Sequence, residues 1–543
     1  GERLRRPKRR HHQCRRFNTR PPGGGGDSTW DALFDSAGQL VANGWTAALA
    51  IPVKSLRYPT RPAGQPHRWG FQITRTIQTE DETLVWAPYT RNITGQLRQM
   101  GLLIGMDNLS TSRNLELLPT ITAIQYGELD QATGQFTNRG LTPDIGLNLK
   151  YGVTSNVTAD FTANSDYSQI EVNHRFPLFF SELRPFFFEG QEIFNTPGLL
   201  NLVHTRTIVD PRIGGKLARK IGRTTLGLLV ADDEAPGNRD DQGDSAFGRT
   251  AQFFIGRARY DLYSESHIGA IVTDREFIYR YNRVAGIDGR LRVGQSHGVE
   301  FNAITSANRD EAGLDTSGPA FDVRLARDSR RLDYGVRYHR IDPEFDTAAG
   351  FIRRVDIQQT DATLSYRWRP EAAIISWGPN VDYSRNHDHA GIIQDEEYRV
   401  GLTSRFARNS SARASVQRQL ERFHGANFDK IRFSVNGSFN ADRRYSVSAG
   451  ANWGDQIRFI ENPFLGRTIS YTLQLTVLPT SRLRLNLALN TTRFIDPRTE
   501  TRVFNAKIAR SFITYQFTTR LLVRSINEHD SFRSTFGTNM LIT

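Results

Sequence analysis

The chain has 543 residues, a formal net charge of +13 at pH 7 and 38% hydrophobic residues. No stretch approaches the roughly 18 consecutive apolar residues that a membrane-spanning helix needs, so a helical membrane protein is excluded. A β-barrel is not, because its strands turn apolar side chains to lipid only at every second position. The single cysteine, Cys14, excludes a disulfide framework within one chain and the usual multi-cysteine zinc clusters.

Residues 1–26 form a basic, glycine-rich head. Nine lysines and arginines stand against Glu2 within residues 1–22, so most of the net charge is local. A nucleic-acid-binding protein throughout its length is therefore not implied. The head has no initiating Met and no apolar signal core, and Gly23 to Gly26 follow it directly. It reads as disordered, with its true start and any export signal outside this sequence.

Residues 27–112 differ in composition. Trp30, Trp45, Trp69 and Trp86 are four of the seven tryptophans. Strand-like pieces at 44–52 and 68–75 are separated by Pro52, Pro59, Pro62 and Pro66, which predicts a partial β-sandwich. Aromatic faces stack on sugar rings, so Trp45, Trp69, Trp86 and Tyr89 are the candidate carbohydrate-binding residues. Trp45 and Trp69 alternate with apolar neighbours and read first as core. Trp86 and Tyr89 flank Ala87-Pro88 and read as an exposed loop.

From residue 113 to residue 543 the pattern is long and alternating. Leu483, Leu485, Leu487 and Leu489 share one face; Arg482, Arg484, Asn486 and Asn490 share the other. Tyr471, Leu473, Leu475 and Val477 repeat the period just upstream, with Leu478-Pro479-Thr480 between, which predicts a tight hairpin. The polar face repeatedly bears full charges, among them Lys150, Asp160, Arg324 and Arg337. Long polar loops are expected at 232–248 and 306–318. A soluble antiparallel sheet also alternates. Strands of nine or ten residues, charged polar faces and alternating short and long connections favour an all-β chain dominated by a large antiparallel transmembrane β-barrel of roughly 16–20 strands.

Three motifs add a resemblance. Asn164-Ser165-Asp166-Tyr167-Ser168-Gln169-Ile170-Glu171 is the first. Glu182-Leu183-Arg184-Pro185-Phe186-Phe187-Phe188-Glu189-Gly190 is the second. Phe345 through Gly350-Phe351-Ile352-Arg353-Arg354 is the third. Together they resemble a large bacterial family of outer-membrane proteins with an N-terminal domain similar to the family-9 carbohydrate-binding module and a C-terminal barrel of unknown function. The resemblance spans roughly residues 30–543. Ser165 stands where the family has Pro, and the N-terminal domain is about half the family's length. The resemblance implies a Gram-negative outer-membrane location, lipid and the barrel-assembly machinery as partners, and a glycan as a further candidate partner; no nucleic acid is expected. The chain ends at Asn539-Met540-Leu541-Ile542-Thr543 in mid-strand, so both ends read as cut. An open seam is expected between the strands near Ile145 and near Met540.

Asp166, Gln169, Glu171, Glu182, Arg184 and Glu189 are the charged and amide residues of the motifs. Paired carboxylates can cleave a glycosidic bond, but here they flank the Phe186-Phe187-Phe188 cluster. The expectation is an inward plug or rim segment paired with strand arginines. His387, Asp388 and His389 read as a solvated loop rather than a metal site. No catalytic motif, cofactor motif or metal site is identified. The functional reading is an outer-membrane barrel of unassigned activity, a channel or a surface carbohydrate-handling protein. A membrane-anchored carbohydrate-active hydrolase is the alternative, and a soluble β-rich binding protein the second.

Overall fold

The computed structural model describes residues 34–41, 44–53, 61–62, 64–77, 82–90, 93, 97–107, 109, 115–124, 127–129, 135–138, 140–154, 157–164, 182, 184–239, 241–263, 265–440, 444–518 and 521–542. Twenty-two antiparallel strands form one closed barrel. The first is Leu115–Ile124, the second Thr142–Thr154, the last Thr535–Ile542. The count exceeds the expected 16–20. The expected loop at 306–318 is corrected: Ser306 pairs with Gly318 across the hairpin of His297–Arg309 and Asp315–Arg327, which leaves only 310–314 as the connection.

The expected open seam is also corrected. The ring order returns from Thr535–Ile542 to Leu115–Ile124, which in turn pairs with Thr142–Thr154. An even number of alternating strands sets the first and last antiparallel, so their edges can meet. The junction is thinly covered: Ile121 is 80% exposed and Phe536 70%.

Alternation decides what each face does. In Pro211–Ile221, Gly214, Lys216 and Ala218 are buried while Ile213, Leu217 and Ile221 are exposed. In Phe464–Val477 and Leu483–Asp496, Leu473 pairs with Leu489 and Leu475 with Leu487, on the face that is exposed to the outside. Val323, Val336, Val400 and Val435 repeat this elsewhere. The outside of the barrel is therefore apolar, and the lumen wall is polar. Aromatic rings border the outer belt. Phe439 and Tyr445 stack near one rim, and Phe433 and Trp453 toward the other. Tyr445 and Trp453 lie on one strand; eight residues at ~3.3 Å each, tilted by ~40°, place them about 20 Å apart along the axis.

The two rims differ. One has the short connections 222–223, 294–296, 328–331 and 407–409; the other has 164–210, 234–250 and 342–356. Leu115 pairs with Tyr151, near the end of its strand, so the chain enters the barrel at the short-connection rim.

Ahead of the barrel, three two-stranded pairs are present: Asp35–Val41 with Gly44–Ala50, His67–Phe71 with Gly101–Met106, and Thr74–Ile77 with Glu82–Val85. The last two are tied together. The Gln72 amide donates to the Ala87 carbonyl and accepts from the Ala87 N–H, and Phe71 packs edge-on against Trp86.

Candidate functional site in the barrel lumen

The second motif folds inward. Pro185–Phe188 forms a single helical turn, started by a proline whose missing N–H costs nothing at that position. Phe186, Phe187, Ile193, Phe194, Leu202 and Ile208 are buried in one cluster with inward-facing Leu229, Ile255 and Ile304 of the wall. An apolar segment of this kind stabilises the interior only where the wall offers apolar partners, and these strands supply them.

The described charges from Glu182 to Glu189 are paired. The Arg184 guanidinium donates to both oxygens of Glu182, at 3.0 and 2.9 Å, and to the carbonyls of Ile208 and Thr205, at 2.8 and 2.9 Å. It lies 4.3 Å above the Phe187 ring. The Thr205 hydroxyl donates to Glu182 at 2.7 Å. Burial pushes the Glu182 carboxyl up, but the Arg184 hydrogen bond and charge outweigh it, with Thr205 adding to them, and hold it below the ordinary range. Glu189 pairs with Lys150 on the second barrel strand. Lys216 donates to the Glu189 carbonyl at 2.6 Å and pairs with Asp160 at 3.1 Å. The segment's pairing differs from the one expected from the sequence. Its carboxylates pair with Arg184 of the segment itself and with a strand lysine, not with strand arginines. Asp166, Gln169 and Glu171 lie outside the described residues.

The third motif meets the connection that follows the second. The His204 N–H donates to the Ala349 carbonyl and the Phe351 N–H to the Asn201 carbonyl. A Cβ at Gly350 would press into the Asn201 carbonyl oxygen, so only glycine allows this approach. The connection 342–356 is held to the wall as well: Ala348 N–H donates to Asn282 Oδ1 at 2.8 Å, and Asp346 N–H to Ser306 Oγ at 3.1 Å. Farther along, Asn302 donates to the Pro197 carbonyl. Gly198 has φ +95°, and a Cβ there would meet Asn302 Nδ2 and Asp322 Oδ1, each at 2.6 Å.

The lumen wall is therefore asymmetric. Under the inward segments, Asp288 and Asp322 are fully buried and Asn302 is 1% exposed. Their charges are matched there, Asp288 by Arg257 at 2.8 Å and Asp322 by Arg337 at 2.8 Å. Across the lumen many inward positions are Ser, Thr, Asn and Gln left half-buried, interspersed with charged and aromatic residues such as Lys430, Arg432 and Phe494. Ser415 bonds Ser434, Ser411 bonds Ser438, Ser470 bonds Thr492 and the Thr476 hydroxyl donates to Asn486. Hydroxyl and amide groups left half-buried on an inner wall keep hydrogen-bonding capacity for water or solute. The spacing signal for this hydrophilic wall was present in the sequence, but residues facing water inside a barrel and residues facing bulk solvent look the same there.

The other predicted residues lie elsewhere. Trp86 and Tyr89 are exposed, and Trp69 is half-buried. Trp45, expected as core, is 59% exposed, because among the described residues its two-stranded pair has no covering layer. The Arg75 guanidinium lies over the Trp45 ring, at 5.6 Å. His389 is not a free loop residue. Its Nδ1 lies 2.8 Å from Asp356 Oδ1, and hydrogen bonds from its backbone N–H and its ring hold the Asp356 carboxyl below the usual range. Among the described residues no group of three metal-ligating side chains converges.

Residues 114–221 match a family profile described as "Domain of unknown function (DUF5916)". No curated protein matches the chain. Solved structures from Pseudomonas aeruginosa are similar in fold at low identity. A mutant of the ferric enterobactin receptor (PfeA), in complex with enterobactin, shares 10% identity, with 82% of this chain and 80% of that chain covered, at a TM-score of 0.38. OpdQ shares 11%, with 79% and 98% covered, at 0.32. OccK7 (OpdD) shares 9%, with 70% and 94% covered, at 0.30. These neighbours are outer-membrane β-barrel proteins.

Proposed function

We propose that this chain is an outer-membrane channel, whose lumen is narrowed by the inward segments and leaves a hydrophilic passage along the Ser/Thr/Asn/Gln wall. The observation that supports it most is the asymmetry of the lumen. One wall is dry and filled; the other is polar, half-buried and without a packed partner among the described residues. An apolar outer belt suits lipid and not water. A soluble β-rich protein would expose that belt at a cost of ~25 cal/mol per Å² of apolar surface. The hydrolase alternative finds no support, since Glu182 is held by Arg184 and is unavailable as an acid or base.

In outer-membrane barrels the short connections face the periplasm. That orientation sets residues 35–106 on the periplasmic side, so any glycan contact by Trp86 and Tyr89 acts on solutes after passage rather than at the cell surface. Reconstitution of the purified chain in planar bilayers tests the reading. Discrete conductance steps are expected; intact, folded barrels that never conduct overturn it.

A further inference from the structure

The open wall contains a cavity of about 480 Å³, within the range of about 300–1,000 Å³ usual for small-ligand sites. It is lined by Arg432, Gln456, Arg458, Ser470, Thr492 and Phe494, with Phe504 and Thr468 beside them. Register places these on the lumen side. Ser470 pairs with Thr492, Thr468 with Phe494, and Phe494 with Phe504, while Ile469 and Tyr471 between them are exposed outside. The cavity lies toward the rim that bears 164–210, because the connection 497–500 follows the strand Leu483–Asp496 there.

Its chemistry is one-sided. Two guanidinium groups reach it, and no carboxylate lines it. Among the described residues neither Arg432 nor Arg458 has an ion-pair partner; Arg458 instead lies 5.4 Å over the Phe504 ring. The nearby acids hold other partners. Asp455 accepts the Ile431 N–H at 3.0 Å, and Asp496 is paired with Arg498 at 2.8 Å. Other lumen charges are matched, among them Arg257 with Asp288, Arg337 with Asp322 and Lys430 with Glu421; here two guanidinium groups without an ion pair among the described residues meet in one cavity. Unmatched guanidinium groups attract an oxyanion and form paired hydrogen bonds to it. The Ser470 and Thr492 hydroxyls, 3.1 Å apart, retain acceptor capacity for solute hydroxyls. Phe494, 2% exposed, stacks at 5.5 Å on Phe504, and the two rings back the Arg458 guanidinium.

We infer that this cavity is a binding station for a small carboxylate-bearing, polyhydroxylated solute of the sugar-acid class. The carboxylate sits between Arg432 and Arg458, and the hydroxyls meet Ser470, Thr492 and Gln456. This rests on the channel reading, and the test separates the two. Galacturonate and glucose are each titrated against single-channel current, and against the thermal unfolding of the detergent-folded barrel. Galacturonate is expected to interrupt the current and raise the Tm, glucose to do neither at equal concentration. In the R432Q/R458Q variant the galacturonate effects fall at least tenfold in apparent affinity, with basal conductance steps retained. R432K/R458K, which keeps charge but loses the planar fork, recovers part of the affinity. Equal response to galacturonate and glucose, or an unchanged response in R432Q/R458Q, overturns the station while leaving the channel standing. A barrel that never conducts but still binds galacturonate through these arginines overturns the channel and keeps the site.

Discussion

Replacing Arg184 by Ala isolates the tie that holds the inward segment. The guanidinium is 2% exposed and makes hydrogen bonds to both Glu182 oxygens and to the carbonyls of Ile208 and Thr205. Its loss strips a buried carboxylate of its guanidinium, while the Thr205 hydroxyl and the residue-184 N–H remain, and removes a donor from the Ile208 and Thr205 carbonyls. Breaking a buried pair from one side costs about 3–5 kcal/mol. That cost falls on the docking of 182–210, because the strands themselves are held by their own ladders. The barrel is expected to survive and the segment to loosen. Single-channel conductance should rise and become noisier, and limited proteolysis should cut within 182–210. Heat-modifiable migration on gels should still report a folded barrel. Replacing Glu182 and Arg184 together by Gln and Met removes the uncompensated charge and should recover much of the docking. Arg184→Ala with wild-type conductance, noise and protease resistance refutes the view that this pair fixes the segment.

Three further outcomes follow from the same geometry. Gly198→Ala puts a Cβ 2.6 Å from Asn302 and Asp322 at φ +95°, so it should destabilise docking by about 1–3 kcal/mol and raise conductance as Arg184→Ala does. Acidification should loosen the segment in two stages. Burial lowers the His204 pKa from its ordinary 6.5, so the unfolded form takes up a proton first and stability falls as pH drops below about 6.5. The Glu182 pKa is lowered from 4.5; its contribution is complete above that value and is lost as pH falls through the lowered value. Conductance recorded from pH 7 to pH 3 checks the sign. Leu487→Arg puts a charge on the outer face and should cost about 2–4 kcal/mol in lipid near the bilayer midplane, falling toward the interfaces, measured by folding into vesicles. Asn486→Arg, on the inner face, should cost far less.

Much of the barrel was legible because period two is a local signal. Leu483 to Leu489 and Tyr471 to Val477 announced a hairpin, and those strands pair in the register their leucines imply. The strand count was harder. Residues 306–318 are rich in polar and small side chains, and a lumen-facing strand with Ser306 inward reads as a loop when its inner face is hydrated. Barrel closure was missed for another reason: it depends on the meeting of strands more than 400 residues apart, which no local pattern encodes. The inward fold of Glu182 to Gly190 was legible from three consecutive phenylalanines among charges, whereas its partners were not. Lys150 and Lys216 reach it through register, and His204 meets Ala349 only through two long connections entering the same lumen. Arg432 and Arg458 could not be picked out at all, since many arginines stand on strands and only the structure shows which lack a carboxylate.

The most direct measurement of the central claim compares conductance with and without the filling. The chain in which 165–208 is replaced by a short Gly-Asn turn is folded beside the wild type, and both are inserted in planar bilayers at equal salt. The account predicts discrete steps for both, with a severalfold larger unit conductance once the segment is removed. Equal unit conductance in two folded barrels would contradict it, since the lumen would then not be narrowed by this segment.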